Sequence, residues 1–155
     1  MGPEYYTQEG MRAQLEEWLR RFREDQPDTI MEWVPLYLHD CDFQKRTMTV
    51  CVDPTPWMAD RTGGMSNGAF SVALDETMGI LCVYFVDSMT PTITMQMSLL
   101  RPIPIDRRLY IKVKLLGTDG TKIDVSATAW SGGDADHPVC TAMGIYYGYS
   151  RSLAN

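Results

Sequence analysis

The residues best suited to chemistry in this 155-residue chain lie in the stretch MSNGAFSVALDETMGI, positions 65–80. The pattern predicts a helix made for burial, with Phe70 and Met78 on one apolar stripe, yet Asp75 and Glu76 stand in its middle. A carboxylate is costly inside an apolar helix unless it faces solvent, has an internal partner or is held for chemistry. These two acids are therefore the first candidates for a functional site.

The two acids are predicted to have different surroundings, because adjacent helical residues point about 100° apart. Asp75 shares its face with the small residues Gly68, Ser71 and Gly79, which let a ligand or another chain come close. We therefore expect Asp75 in a cleft. Glu76 points elsewhere and is expected to be a surface acid or an acid at a subunit contact.

The segment GGMSNG, positions 63–68, leads into this helix. Its glycines leave the backbone open to a substrate, and the first turn of a helix has unpaired N–H groups and a partial positive charge. With Asp75 expected to face the same spot two turns on, this arrangement suits acyl-transfer hydrolysis by water. A glycine-rich loop, an N-cap at Ser66 or Asn67 and a satisfied acid explain the same residues, and the residues alone slightly favour that simpler interpretation.

Composition and charge limit the class of protein. A hydrophobic content of 45% and a charged content of 22% are those of a soluble domain, and we expect one domain over residues 1–155. The net charge of -6 argues against a nucleic-acid partner. None of the four cysteines forms a CxxC motif, so we expect a reduced, cytoplasmic protein.

Targeting and membrane segments are not expected. The N-terminus begins with Glu4, two tyrosines and a charged helix, which is no pattern for a signal peptide. The longest apolar run, residues 78–86, is far shorter than the roughly 20 residues of a membrane span. We therefore predict no membrane partner.

The predicted element order indicates an α+β fold. An amphipathic helix is expected from about Thr7 to Asp25, inside an N-terminal helical extension of residues 1–28, and the central helix from about Asn67 to Phe85. Strands are predicted at residues 29–38, 45–53, 92–102, 108–117, 121–131 and 138–150. HDCDFQ is expected as a turn, and TDG as the turn of a hairpin. One antiparallel sheet of about six strands wrapped around the long helix satisfies this order.

MSNGAFSVALDETMG resembles the signature of the hotdog-fold acyl-CoA thioesterases of the phenylacetate-degradation (PaaI-like) type. That signature is His-Gly-Gly, six residues, then Asp or Glu, at the start of the central helix. Ser66, Asn67 and Gly68 occupy the His-Gly-Gly positions, and Asp75 falls on the acid. The strand TITMQMSLLRP is similar to the family's next strand, which usually ends in Leu-Arg-Pro, here with Arg101.

The resemblance implies a thioester hydrolase whose active site lies at a dimer interface. Asp75 would be the general base or nucleophile, and Thr92 would position water. The backbone N–H groups at Asn67 and Gly68 would polarise the thioester carbonyl, and Asp60 stands where the family has a loop Asn or Gln. Asp75 and Thr92 would come from one subunit and the others from its partner, in a homodimer or a dimer of dimers. No metal or cofactor is implied beyond the coenzyme A of the substrate.

Two departures from the family pattern leave alternatives open. Ser66 replaces the histidine, and Asp60 replaces an amide. Asp60 and Asp75 could share a proton that raises the pKa of one of them, a hypothesis that activity independent of pH between about 4 and 8 would exclude. A non-hydrolytic acyl-CoA-binding protein on the same fold is the second candidate. A hotdog dehydratase or hydratase ranks third, because no histidine lies near Asp75 in sequence.

Further residues are predicted to bind the substrate, a small- to medium-chain or aromatic acyl-CoA. Trp57 and Met58 are expected as a lid, Met78 as part of an apolar tunnel, and Ser66 as a contact at the histidine position. Arg101 is the candidate for the coenzyme A phosphates. The cluster LHDCD at residues 38–42 is interpreted as a polar turn rather than a metal site. The N-terminal helix is expected to cover either the site or the sheet edge.

Overall fold

The structure, a computed structural model, describes residues 2–148, which form one antiparallel sheet and three α-helices. The helices are α1 (Gln8–Glu24), α2 (Ile30–Trp33) and α3 (Asn67–Val86). The strands are β1 (Tyr37–Asp42), β2 (Thr47–Val52), β3 (Thr92–Leu99), β4 (Leu109–Thr118), β5 (Lys122–Ser131) and β6 (Cys140–Tyr147). The strand order is β1-β2-β4-β5-β6-β3.

The predicted hotdog fold is confirmed, with α3 as the helix that the sheet wraps. The stripe of Phe70, Leu74, Met78 and Leu81 is buried, and α3 packs against β2, β3, β4, β5 and β6. By length and composition alone the 20-residue α3 would also suit a membrane, with a mean hydropathy of 1.6 in its most apolar window. Because 61% of its most apolar window is buried within the protein, α3 has the surroundings of a core helix.

The ends of α3 are set by local hydrogen bonds. Ser66 is the N-cap, and its Oγ accepts a hydrogen bond from the Ala69 N–H at 3.1 Å. At the other end Asp87 adopts the left-handed conformation, and its N–H donates to the Val83 carbonyl at 2.9 Å. The predicted bounds therefore hold to within one residue.

The N-terminal helix α1 begins and ends as predicted, with Thr7 as the N-cap and Asp25 as the C-cap. It packs on both β1 and α3, so it covers more than a sheet edge. Just before α1, the Tyr5 ring stacks on Tyr84 of α3 with ring centroids 4.8 Å apart. The Tyr84 hydroxyl donates a hydrogen bond to the Tyr5 carbonyl at 2.5 Å. These contacts fix α1 beside the C-terminal half of α3.

The predicted strand at residues 29–38 is wrong in its first half. Residues 30–33 form the short helix α2, in which Met31 and the following Val34 are buried at helical spacing. Strand β1 instead includes His39–Asp42, which were predicted as a turn, because the chain reverses later, at residues 43–46. A short apolar run rich in aromatic residues does not by itself distinguish a strand from a buried helical turn.

The C-terminal strands follow the prediction more closely. The TDG turn joins β4 and β5, and Gly120 there has the positive φ of +95° that the turn requires. β3 ends at Leu99 rather than at residue 102. The predicted end of the last strand at residue 150 lies outside the described residues. Strand β6 pairs with both β5 and β3, and Thr92 lies opposite Tyr146 in the β3–β6 register.

Gly144 of β6 allows close packing, and a substitution there tests it. An added Cβ would lie 2.9 Å from Cε2 of Tyr146 and 3.2 Å from Sδ of Met78. We expect Gly144→Ala to lower the free energy of unfolding by about 1–3 kcal/mol, measured by urea denaturation, because the core has no room for the methyl group.

Gly117 of β4 provides the matched control, since an added Cβ would meet no atom within 4 Å. Gly117→Ala should remain within about 1 kcal/mol of the wild-type protein. Equal stability of the two variants would show that Tyr146 and Met78 do not pack tightly against Gly144.

Candidate functional site

A pocket of about 1000 Å³ lies between α1 and α3, next to the start of β3. Its walls are mainly apolar, with side chains from α1, α2, α3 and the segment before β3: Trp18, Phe22, Met31, Ile80, Val83 and Met89. The polar groups of its α3 side are those of Asp75 and Glu76, and Thr92 and Tyr146 stand beside them. A largely apolar cavity with a few convergent polar groups is the usual form of a small-molecule site.

The Asp75 carboxylate is held by two hydroxyl groups. Thr92 Oγ1 donates a hydrogen bond to Asp75 Oδ1 at 2.6 Å, and the Tyr146 hydroxyl donates to the same oxygen at 2.7 Å. The Tyr146 hydroxyl also lies 3.0 Å from the Asp75 carbonyl oxygen. Within residues 2–148, Asp75 Oδ2 has no hydrogen-bond partner. One oxygen is therefore fixed and the other is left open.

Tyr146 is the site residue that sequence reasoning missed. The residue is 1% exposed, and burial, followed by the hydrogen bond to Asp75 and the charge of Asp75, raises its pKa far above the ordinary 10. Tyr146 therefore keeps its proton and remains a donor at neutral pH. The sequence carried one usable signal: the small residues Ala142 and Gly144 precede the tyrosine at alternate positions of β6, on the same inward-facing side.

Glu76 was expected to be a surface acid or an acid at a subunit contact, and within the single chain it is not fully exposed. It is half-buried and lines the same pocket as Asp75. Burial, and after it the charge of Asp75, raises the pKa of the Glu76 carboxyl. No described residue donates a hydrogen bond to Glu76 or forms an ion pair with it. The pocket thus holds one carboxylate that is anchored and one that is not.

The structure does not bring the predicted amide donors to Asp75 within one chain. Gly68 and Asp75 are seven residues apart on α3, a rise of about 10 Å, and neither Asn67 nor Gly68 lines the pocket. Within a single chain, Asp75 therefore does not face the same place as these amides, contrary to the expectation from the sequence. The N–H groups of both residues have no acceptor among the described residues, and an added Cβ at Gly68 would meet open space.

Asp60 is engaged in its own loop, outside the pocket. Its Oδ1 accepts hydrogen bonds from the Thr62 N–H at 2.8 Å and the Thr62 hydroxyl at 2.6 Å. These bonds lower the pKa of Asp60. Within one chain Asp60 does not line the pocket that Asp75 lines, so a proton shared between the two acids stays a prediction.

The predicted substrate contacts are scattered. Met58 and Met78 are packed in the core, at 1% and 0% exposure, so neither forms a lid or a wall of the pocket. Trp57 is 49% exposed and meets Trp33 edge to face, with ring centroids 5.6 Å apart. Ser66 Oγ is occupied in capping α3, and Arg101 is exposed with no ion pair among the described residues.

The polar cluster at residues 38–42 belongs to β1 rather than to a turn, and His39 there packs edge to face on Tyr110. In the described part of the chain, no three His, Cys, Asp or Glu side chains are grouped to hold a metal ion. The other histidine, His137, is exposed and hydrogen-bonded to Asp134 at 2.6 Å.

Comparison with known families finds one that matches part of the sequence. The sequence model of the thioesterase superfamily matches residues 62–136, a segment that contains α3, Asp75 and Thr92. This segment is just under half of the chain, and over it the chain is similar to the thioesterase superfamily. The resemblance to hotdog thioesterases is thereby confirmed. No curated protein sequence matches the chain.

Solved structures show the same fold at low sequence identity. Thioesterase superfamily member 2 from zebrafish has a TM-score of 0.78 at 9% identity, covering 92% of this chain and 99% of its own. A phenylacetic acid degradation-related protein from Ralstonia eutropha JMP134 has a TM-score of 0.71 at 16% identity, covering 84% and 98%. A Streptococcus mutans UA159 protein, solved bound to acetyl CoA, has a TM-score of 0.66 at 13% identity, covering 74% and 89%.

Neutralising Glu76 should stabilise the protein near neutral pH. The folded-state pKa of Glu76 is raised above the ordinary 4.5, so folding favours the protonated carboxyl. The stability that protonated Glu76 contributes is fully present below pH 4.5 and is lost as the pH rises through the folded-state pKa. Glu76→Gln removes this loss. We expect a higher midpoint of thermal unfolding than wild type at pH 7.5, and a smaller difference at pH 4.

The exposed Asp136 serves as the control, and Asp136→Asn should not change the midpoint appreciably at either pH. A lower midpoint for Glu76→Gln at pH 7.5 would contradict the prediction. It would show that the charge of Glu76 is paired, as an acid at a subunit contact would be.

Proposed function

We propose that this protein hydrolyses the thioester of an acyl-CoA to a free acid and coenzyme A, as a cytoplasmic enzyme of the PaaI-like type. The observation that carries the proposal is the Asp75 carboxylate, anchored through Oδ1 and open at Oδ2, at an apolar pocket of a thioesterase-superfamily fold. The Streptococcus mutans protein of the same fold was solved with acetyl CoA, which supports this class of ligand.

In the proposed reaction Asp75 acts as general base. It takes a proton from a water molecule whose oxygen attacks the thioester carbonyl carbon, and the tetrahedral intermediate expels the coenzyme A sulfur, which receives the proton. The Thr92 hydroxyl donates a hydrogen bond to Asp75 Oδ1, so its oxygen remains free to accept a hydrogen bond from that water. Direct attack by Asp75 Oδ2 on the carbonyl is the covalent variant of the same chemistry.

The carbonyl oxygen would be stabilised by the free N–H groups at the start of α3. Since these lie about 10 Å along the helix from Asp75, we infer that Asn67 and Gly68 of the partner subunit supply them, in a homodimer or a dimer of dimers. Asp60 of the partner subunit would stand beside them. Arg101 is free to bind the coenzyme A phosphates.

The acyl group is proposed to enter the pocket between α1 and α3. Trp18 and Phe22 of α1 and Ile80 and Val83 of α3 form an apolar surface that starts beside Asp75. Such walls favour a medium-chain or aromatic acyl group over a short one, because each buried apolar carbon adds to binding.

A second candidate function is acyl-CoA binding without hydrolysis. It is favoured by two observations: Ser66, at the family's histidine position, uses its hydroxyl to cap α3, and the Asp60 carboxylate is committed to Thr62. These contacts use the Ser66 Oγ as an acceptor and the Oδ1 of Asp60. Saturable binding of acyl-CoA without release of thiol would identify this function.

The hydrolase proposal predicts that Asp75→Asn, which keeps the shape but removes the base, reduces thiol release about 10²- to 10⁴-fold. The measurement is release of free thiol from short, medium, long and aromatic acyl-CoAs. Asp136→Asn, the same change at an exposed acid, should leave the rate unchanged. Turnover indifferent to Asp75, or no turnover by wild type on any substrate, would favour the binding function.

The pocket assignment predicts a selective effect of Phe22→Ala. The loss of its ring should lower kcat/KM for aromatic or medium-chain acyl-CoA about tenfold or more, because the substrate loses an apolar contact. Acetyl-CoA, which is too short to reach α1, is the internal control and should be affected little. An equal loss for both substrates would place the acyl group elsewhere.

A further inference from the structure

We propose that Tyr146 is a positioning residue that fixes Asp75 in one orientation, so that Oδ2 is the oxygen that reacts. The inference rests on the hydrolase function proposed above and adds a residue to it. Tyr146 borders the proposed acyl pocket, but its hydroxyl is bonded to Asp75, so we assign its action on the reaction to Asp75.

The strand register brings the two anchoring hydroxyls together. Thr92 at the start of β3 and Tyr146 near the end of β6 are paired residues of neighbouring strands. Their hydroxyls both donate to Asp75 Oδ1, at 2.6 Å and 2.7 Å. Two donors on one oxygen stabilise negative charge on Oδ1. Oδ2 is therefore the oxygen that takes the proton from water or attacks the carbonyl carbon.

The packing of the Tyr146 ring limits where its hydroxyl can be. One ring edge faces Gly79 of α3, where an added Cβ would lie 3.5 Å from Cε1. The other edge faces Gly144 of β6, where an added Cβ would lie 2.9 Å from Cε2. The ring therefore occupies a slot between two glycines, and its second contact, with the Asp75 carbonyl oxygen at 3.0 Å, ties the hydroxyl to the helix backbone as well.

The proton balance leaves Tyr146 unchanged through the cycle. Oδ2 takes the proton from water as the water oxygen bonds to the carbonyl carbon, and returns it to the coenzyme A sulfur when the carbon–sulfur bond breaks. Tyr146 keeps its proton and its hydrogen bond throughout. Its contribution is to prevent Asp75 from rotating, which would exchange the reacting and the anchored oxygen.

The test is Tyr146→Phe, which removes one hydroxyl and keeps the ring in its slot. We expect kcat for thiol release to fall about 10- to 100-fold with KM little changed, since a hydrogen bond to a charged group is lost away from the substrate. Tyr37→Phe, at an exposed tyrosine on β1, is the matched control and should keep wild-type kcat and KM.

A spectroscopic measurement makes the test independent of turnover. In protein labelled with ¹³C-aspartate, the Asp75 ¹³Cγ line is identified by its absence in Asp75→Asn. We expect Tyr146→Phe to shift or broaden this line, and Tyr37→Phe to leave it in place. If Tyr146→Phe fails to fold, Thr92→Val at the exposed end of β3 removes the other donor to the same oxygen and should change the same line.

The outcomes separate the two proposals. If Tyr146→Phe changes neither the Asp75 ¹³Cγ line nor kcat, the positioning role is overturned, even if wild type hydrolyses acyl-CoA. A rise in KM with unchanged kcat would also overturn it, because the residue would then act in binding. A wild-type protein without thiol release would overturn the hydrolase function alone, and the ¹³Cγ line would still decide whether Tyr146 holds Asp75.

Discussion

The pair of hydrogen bonds on Asp75 Oδ1 is the interaction on which the rest of the site depends. A carboxylate beside an apolar pocket is unfavourable unless donors replace the water it has lost, and here Thr92 and Tyr146 do so. The two donors lie side by side because β3 pairs with β6, so the position of the Asp75 carboxylate depends on the pairing at this edge of the sheet. The pocket can therefore be apolar and still contain a charged group.

The N-terminal helix contributes the other half of that pocket. Stacking of Tyr5 on Tyr84 and the hydrogen bond between them hold α1 beside α3, which places Trp18 and Phe22 opposite the acid. The Thr92–Asp75 hydrogen bond lies at the exposed side of the pocket, where water can reach the acid. Partial burial beside the apolar walls raises the pKa of Glu76, which has no hydrogen-bond donor among the described residues.

The length of α3 divides the proposed site into two halves. Asp75 lies in the middle of the helix and the free amides at its beginning, about 10 Å away, which one thioester carbonyl cannot span within a single chain. Under the proposed function a second subunit closes that gap. The open space beside Gly68, where no described atom lies within 4 Å of an added Cβ, is what such an approach needs.

The sequence by itself determined what depends on near neighbours. The caps and apolar period fixed α3 and α1, alternation and the TDG turn fixed the β4–β5 hairpin, and the spacing of the signature singled out Asp75. The tertiary structure decided what depends on contacts between distant parts of the chain. These are the helical conformation of residues 30–33, the partial burial of Glu76, the core positions of Met58 and Met78, and the contact of Tyr146 with Asp75. Tyr146 lies 71 residues from Asp75 along the chain, and the register that joins them is set by the β3–β6 pairing. Local sequence patterns do not predict such a register, because it results from long-range packing of the whole sheet around α3.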